Sequence, residues 1–120
     1  PSLIPFDMVT MPTGVMSNFK TISDKRIPQL LAQAGLTVIL LSSPWDGNGI
    51  IMRSIVEGIA GQYPNVTFCQ ANYEDTPQLA RLFNLLNPPG LLLVRDGELV
   101  HRITKPMSAG NIQELIQANA

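Results

Sequence analysis

The chain has little cysteine, little histidine and little charge. It carries one cysteine, Cys69, and one histidine, His101, in 120 residues. A lone cysteine forms no internal disulfide, which excludes an extracellular disulfide scaffold. One Cys and one His fall short of the ligand set that zinc takes. Charged residues make up 14% of the chain, and nine acidic side chains nearly balance eight basic ones. There is no basic run, and Lys25-Arg26 reads as a solvated helix face, so neither nucleic acid nor an anionic membrane is an expected partner. Apolar runs fall short of the ~18–20 residues of a membrane helix. The start of the chain lacks the charged opening and continuous apolar stretch of a secretory leader. These absences predict a cytoplasmic protein with no cofactor, no metal and no membrane insertion. No Gly-rich phosphate loop follows a strand, because Gly47 and Gly49 lack a Lys-Ser/Thr partner.

An apolar content of 45% suffices for a core, and the length suits one domain. Residues 1–18, PSLIPFDMVTMPTGVMSN, follow neither a helical nor a strand period and are read as an extended arm. The arm either packs Ile4, Phe6 or Val9 on the domain or docks on another copy or another protein by strand addition, where its methionines adapt to irregular contacts.

Residues 19–120 are read as one domain with regular patterns. Phe19 to Ile22 alternates as a short edge strand. Ser23 and Asp24 are helix-start residues, and Pro28 fits a first turn. Leu30, Leu31 and Ala34 form an apolar stripe, with Gly35 as the stop. Leu36 to Leu41 is a nearly unbroken apolar run, interrupted at Thr37, as in a strand buried on both faces. Residues 49–63 read as a helix with Met52, Val56, Ile59 and Tyr63 on one face and Ile51 and Ile55 beside them. Val66 to Ala71 is a second buried strand. Thr76-Pro77 starts a helix carrying Leu79, Leu82 and Phe83. Leu91–Val94 and Leu99–Ile103 form a hairpin turning at Asp96-Gly97. Ser108 caps a last helix carrying Ile112, Leu115 and Ile116. The order β-α-β-α-β-α-β-β-α predicts an α/β fold. Its central mixed sheet of four to five strands has helices on both faces.

Four segments in this order resemble the thioredoxin family: LLSSPWDGNGIIMRSIVEGIA, VTFCQANYEDTPQLARLFNL, NPPGLLLVRDGELV and SAGNIQELIQANA. The resemblance spans about residues 19–120 and implies a thioredoxin fold. Carried over from the family, the two redox cysteines fall on Asp46 and Gly49. The buried acid falls on Leu40, the lysine near it on Gln70, and a groove glycine on Lys105. Disulfide exchange needs an attacking thiolate and a resolving thiol, so dithiol oxidoreductase activity is not expected. Cys69, inside an apolar strand, reads as a small buried hydrophobe. His101 reads as a half-exposed surface residue without a catalytic partner.

The resemblance also implies a shallow apolar groove with a cis bond before Pro89. On this reading Trp45, Asp46, Asn48, Pro88, Pro89, Lys105 and Met107 line it. Lys105 either pairs with Asp46 across the groove or meets an acidic partner. The leading expectation is a non-catalytic protein-binding module (an adaptor, complex subunit or assembly chaperone) whose partner is another protein, including an extended peptide segment. Two alternatives are a non-redox enzyme using Asp46 as acid or base and a chaperone surface without a preferred client.

Overall fold

The computed structural model describes residues 19–120. The expectations for residues 1–18, including self-association, lie outside them. The elements run β1 (Phe19–Thr21), a 3-10 turn (Asp24–Arg26), α1 (Ile27–Ala32), β2 (Leu36–Ser42), α2 (Gly47–Ala60) and β3 (Thr67–Asn72). A second 3-10 turn (Tyr73–Asp75), α3 (Pro77–Leu82), β4 (Gly90–Arg95), β5 (Glu98–Ile103) and α4 (Ala109–Asn119) complete the order. The five strands lie β1-β3-β2-β4-β5. β3 pairs in parallel with both β1 and β2, and β4 pairs antiparallel with both β2 and β5. β2 holds the centre, and all seven of its residues are buried.

Side chains alternate across a strand, so the nearly unbroken apolar run of β2 feeds two cores. Val38 and Leu40 join Phe68, Leu91 and Leu93 beneath Met52, Val56 and Ile59 of α2 and Ile112 and Ile116 of α4. Ile39 and Leu41 join Cys69, Leu92 and Val94 against Leu30 of α1 and Leu79, Ala80 and Phe83 around α3. Helices thus cover both faces, as the element order predicts.

Local signals hold in several places. Ser23 Oγ accepts from the Lys25 amide at 3.4 Å, and Ser108 Oγ from the Asn111 amide at 3.1 Å. Pro28 lies in the first turn of α1. Asp96 and Gly97 both have positive φ, at 51° and 85°, the two-residue turn that matches strand twist.

Elsewhere tertiary contacts override the local pattern. α1 ends at Ala32, so Ala34 lies beyond it, and both Leu31 and Ala34 are exposed. Gly35 is no helix stop. It has φ +83°, its N–H donates to Asp96 Oδ1 at 2.8 Å, and its carbonyl accepts from the Asp96 amide at 3.0 Å. The chain between α1 and β2 is therefore shaped by the distant hairpin turn. In α3 the buried face is Leu79, Ala80 and Phe83, while Leu82 points outward. The helix is only six residues long, and the Leu85 amide donates back to the Ala80 carbonyl at 2.8 Å, turning the chain inward there. Ile51 of α2 is exposed, and Tyr63 lies beyond the helix end.

Candidate functional site

Trp45 stands just before α2. It is 72% exposed, and Nε1 donates to Glu74 Oε2 at 3.1 Å. Glu74 belongs to the 3-10 turn after β3, where Asn72 Oδ1 accepts from the Glu74 amide at 3.1 Å. The indole is thus fixed in orientation while its face stays open.

Asp46 is the N-cap residue of α2, with extended backbone. Its carbonyl accepts from the Ile50 amide at 3.1 Å, yet its carboxylate makes no capping hydrogen bond. Asp46 Oδ2 is buried without a hydrogen-bond partner, as is Ser43 Oγ. A Cβ placed on Gly49 would lie 2.7 Å from Ser42 Cβ and 3.1 Å from Asp46 Oδ2. Gly49 therefore lets α2 approach the end of β2, and the Asp46 carboxylate lies beside the place its side chain would take. The carboxylate lies toward Gly49 rather than over the amides of the first turn.

The residues beneath offer no titratable group at the position where the resemblance implies an acid. Leu40 is fully buried and registers with Gln70 on β3 and Leu91 on β4. Cys69 is buried, and burial pushes its thiol pKa up to about 12 from an ordinary 9.0, with the Arg26 charge pulling weakly the other way. A thiol held so firmly protonated is a poor nucleophile.

The remaining groove residues fall into two connected depressions. The Pro88–Pro89 bond is cis, and both prolines line a depression of about 330 Å³ with Leu86, Arg102 and Thr104. Lys105 and Met107 line the next, about 450 Å³, with His101, Arg102 and Thr104. A third, about 350 Å³, holds Tyr73, Glu74, Arg81, Leu85 and Leu86. Shared residues make these one band, running from Trp45 through Glu74 and Leu86 to the prolines, then through Arg102 to Lys105 and Met107. Trp45, Asp46 and Asn48 line none of the three depressions, although Trp45 reaches the band through Glu74. Asn48 is exposed, and Met107 is half-buried against the core.

Lys105 forms no ion pair with Asp46; among the described residues the only ion pair joins Arg95 and Asp96, at 3.9 Å. His101 is exposed on β5 and makes no hydrogen bond or ion pair with Asp46. Among the described residues no group of three His, Cys, Asp or Glu side chains is placed to hold a metal. None of their helices is long and apolar enough to cross a membrane.

Sequence reasoning missed Leu86, Glu74, Tyr73 and Arg102. Leu86 is 76% exposed. Tyr73 Oη donates to the Leu86 carbonyl at 2.7 Å, and Arg102 Nη1 donates to the Phe83 carbonyl at 3.1 Å, so both ends of this loop are tied down. The available signal was an apolar pair, Leu85-Leu86, just before Asn87-Pro88-Pro89; one leucine is core and the other is surface.

This architecture is a thioredoxin fold. A mutant thioredoxin from Halobacterium salinarum superposes with a TM-score of 0.76 at 16% identity, over 85% of this chain and 91% of that one. In sequence, the chain is 26% identical to a thioredoxin of Chlamydia pneumoniae over 101 residues, 84% of this chain and 98% of the relative. It is also 26% identical to thioredoxin-1 of Saccharomyces cerevisiae, over 88% of this chain and all of the relative. No family model matches. The chain is therefore similar in sequence to thioredoxins and has their fold.

Proposed function

We propose that this chain is a thioredoxin-like protein-binding module without dithiol chemistry, and that its partner lies along the band from Trp45 to Met107. The observation that carries the reading is a pair of large apolar side chains, Trp45 and Leu86. Both are more than two-thirds exposed, and they flank Glu74 beside a sulfur-free start of α2. Exposed aromatic and aliphatic side chains held by fixed neighbours are the anchors that interfaces use. Redox turnover needs two thiols, and the chain has one, buried, with its pKa raised. The acid-base alternative loses support because His101 is not brought into contact with Asp46.

Lys105 and Arg102 give the far end of the band a positive rim, which suits a partner segment with an acidic residue among apolar ones. The test is affinity capture from the native host with wild type, Trp45→Ala and Leu86→Ala, each checked for unchanged circular dichroism. One discrete protein retained by wild type and lost by both variants is the expected result. Retention of that protein by both variants would move the interface elsewhere. Thiol-dependent reduction of insulin by the wild-type chain, lost in Cys69→Ala, would overturn the non-redox assignment.

A further inference from the structure

A depression of about 240 Å³ lies between α1 and the β1–β3 edge of the sheet, lined by none of the band residues. The helix beside it, α1, is only six residues long, and Gln29 and Leu30 of α1 and Gln33 just after it line the depression. Leu30, Ile22 and Cys69 make an apolar floor, and among the described residues Lys20 and Arg26 are the only charged ones that line it. Neither cationic side chain has a hydrogen-bond or ion-pair partner among the described residues. Gln29, Gln33 and Thr67 add polar groups to the lining, and Gln33 Nε2 donates to Thr67 Oγ1 at 2.9 Å.

Two cations without a partner among the described residues, above an apolar floor, have a defined chemical complement. We propose that this depression binds a small organic anion, with its carboxylate between Lys20 and Arg26 and a short apolar tail on Leu30, Ile22 and Cys69. The volume is below the roughly 300–1,000 Å³ of pockets for drug-sized ligands, which limits the tail to a few carbons. A cation is excluded by the two like charges, and a fully polar anion would leave the floor wet. The site stands independently of the protein-binding reading.

The chain supplies its own reporter, because Cys69 is its only thiol and lines this depression. Because this thiol is buried and protonated, its reaction is slow, and the experiment follows alkylation of the full chain by uncharged N-ethylmaleimide over hours at mildly alkaline pH in the presence of hexanoate, with hexanol as the neutral control. Hexanoate should slow alkylation saturably and hexanol much less. Charge-assisted contacts to a carboxylate are the strong ones, so Lys20→Gln with Arg26→Gln should weaken hexanoate protection by about tenfold or more. Both side chains are exposed, and circular dichroism checks that the variant folds. Equal protection by hexanol, or equal protection in the double variant, would overturn the assignment. Asp7 is the only acidic residue of residues 1–18. Faster alkylation of Asp7→Asn with no probe present would also overturn the assignment, because the chain's own carboxylate would then be the occupant.

Discussion

Replacing Gly49 by alanine tests whether the start of α2 is built around a missing side chain. The added Cβ would sit 2.7 Å from Ser42 Cβ, closer than carbon atoms pack, and 3.1 Å from Asp46 Oδ2. Ser42 Cβ is fixed to β2, a central and fully buried strand, so it cannot swing away. Forcing a methyl group into such a contact costs about 1–3 kcal/mol. Against this, alanine favours a helix over glycine by about 0.8–1 kcal/mol, less in a first turn. The difference leaves Gly49→Ala less stable by about 0.5–2 kcal/mol, or roughly 2–10 °C in Tm for a domain near 100 residues. Urea unfolding of wild type, Gly49→Ala, Ser42→Gly and the double variant isolates the contact. Ser42→Gly removes the opposing Cβ, so the cycle should show a favourable coupling of about 1 kcal/mol. Gly49→Ala as stable as wild type or more so, with no coupling to Ser42, would refute the close approach.

Two other substitutions test features far from that turn. Asp24 accepts from the Gln78 and Leu79 amides at 3.1 and 3.0 Å, capping α3 from 54 and 55 residues away; Asp24→Ala should cost about 1–2 kcal/mol in urea unfolding, whereas mutating the formal N-cap Thr76 to Val should act mainly through its hydroxyl bond to the Asn72 carbonyl at 2.9 Å. Because burial raises the Cys69 pKa from 9.0 to about 12, the unfolded chain loses this proton first as pH rises. Its contribution is full below pH 9 and is lost progressively up to about pH 12. Cys69→Ala should therefore flatten the alkaline fall in stability relative to wild type, and an identical fall in both would contradict the burial of a protonated thiol.

Much of the architecture was legible because its signals are local. The apolar run of β2, the Asp96-Gly97 turn and the caps at Ser23 and Ser108 each depend on residues a few positions apart. What was illegible depends on contacts across the fold. Gly35 looked like a helix stop, but its geometry answers to Asp96, 61 residues away. Asp24 looked like a helix-start residue for its own segment, and its carboxylate instead holds the start of α3. Leu82 matched a helical stripe that α3 is too short to present. At the site, the resemblance supplied Trp45 and the prolines. The link between them runs through Glu74 and Leu86, which no periodicity singles out because one is an exposed acid in a turn and the other a leucine outside any helix or strand.

Reinstalling cysteines at the start of α2 would separate the loss of sulfur from the loss of its surroundings. Asp46→Cys removes the carboxylate that lies beside Gly49, so one of the two close contacts disappears. The other, 2.7 Å to Ser42 Cβ, stays with Gly49→Cys and forces α2 or the end of β2 to shift. The double variant should therefore be destabilised and should form its disulfide incompletely, and Ser42→Gly in the same background should raise the oxidised fraction. Catalysis should stay low in both. A resolving thiol must lose its proton, and the residues at this level, Leu40, Gln70 and Leu91, cannot take one. Mass spectrometry of the oxidised protein reads the disulfide, and insulin reduction reads turnover. Turnover matching an ordinary thioredoxin would mean that sulfur alone was missing, and the weight placed on Leu40 would be wrong. A disulfide with little turnover would mean that the residues beneath the turn, Leu40, Gln70 and Leu91, limit the exchange because none of them moves a proton.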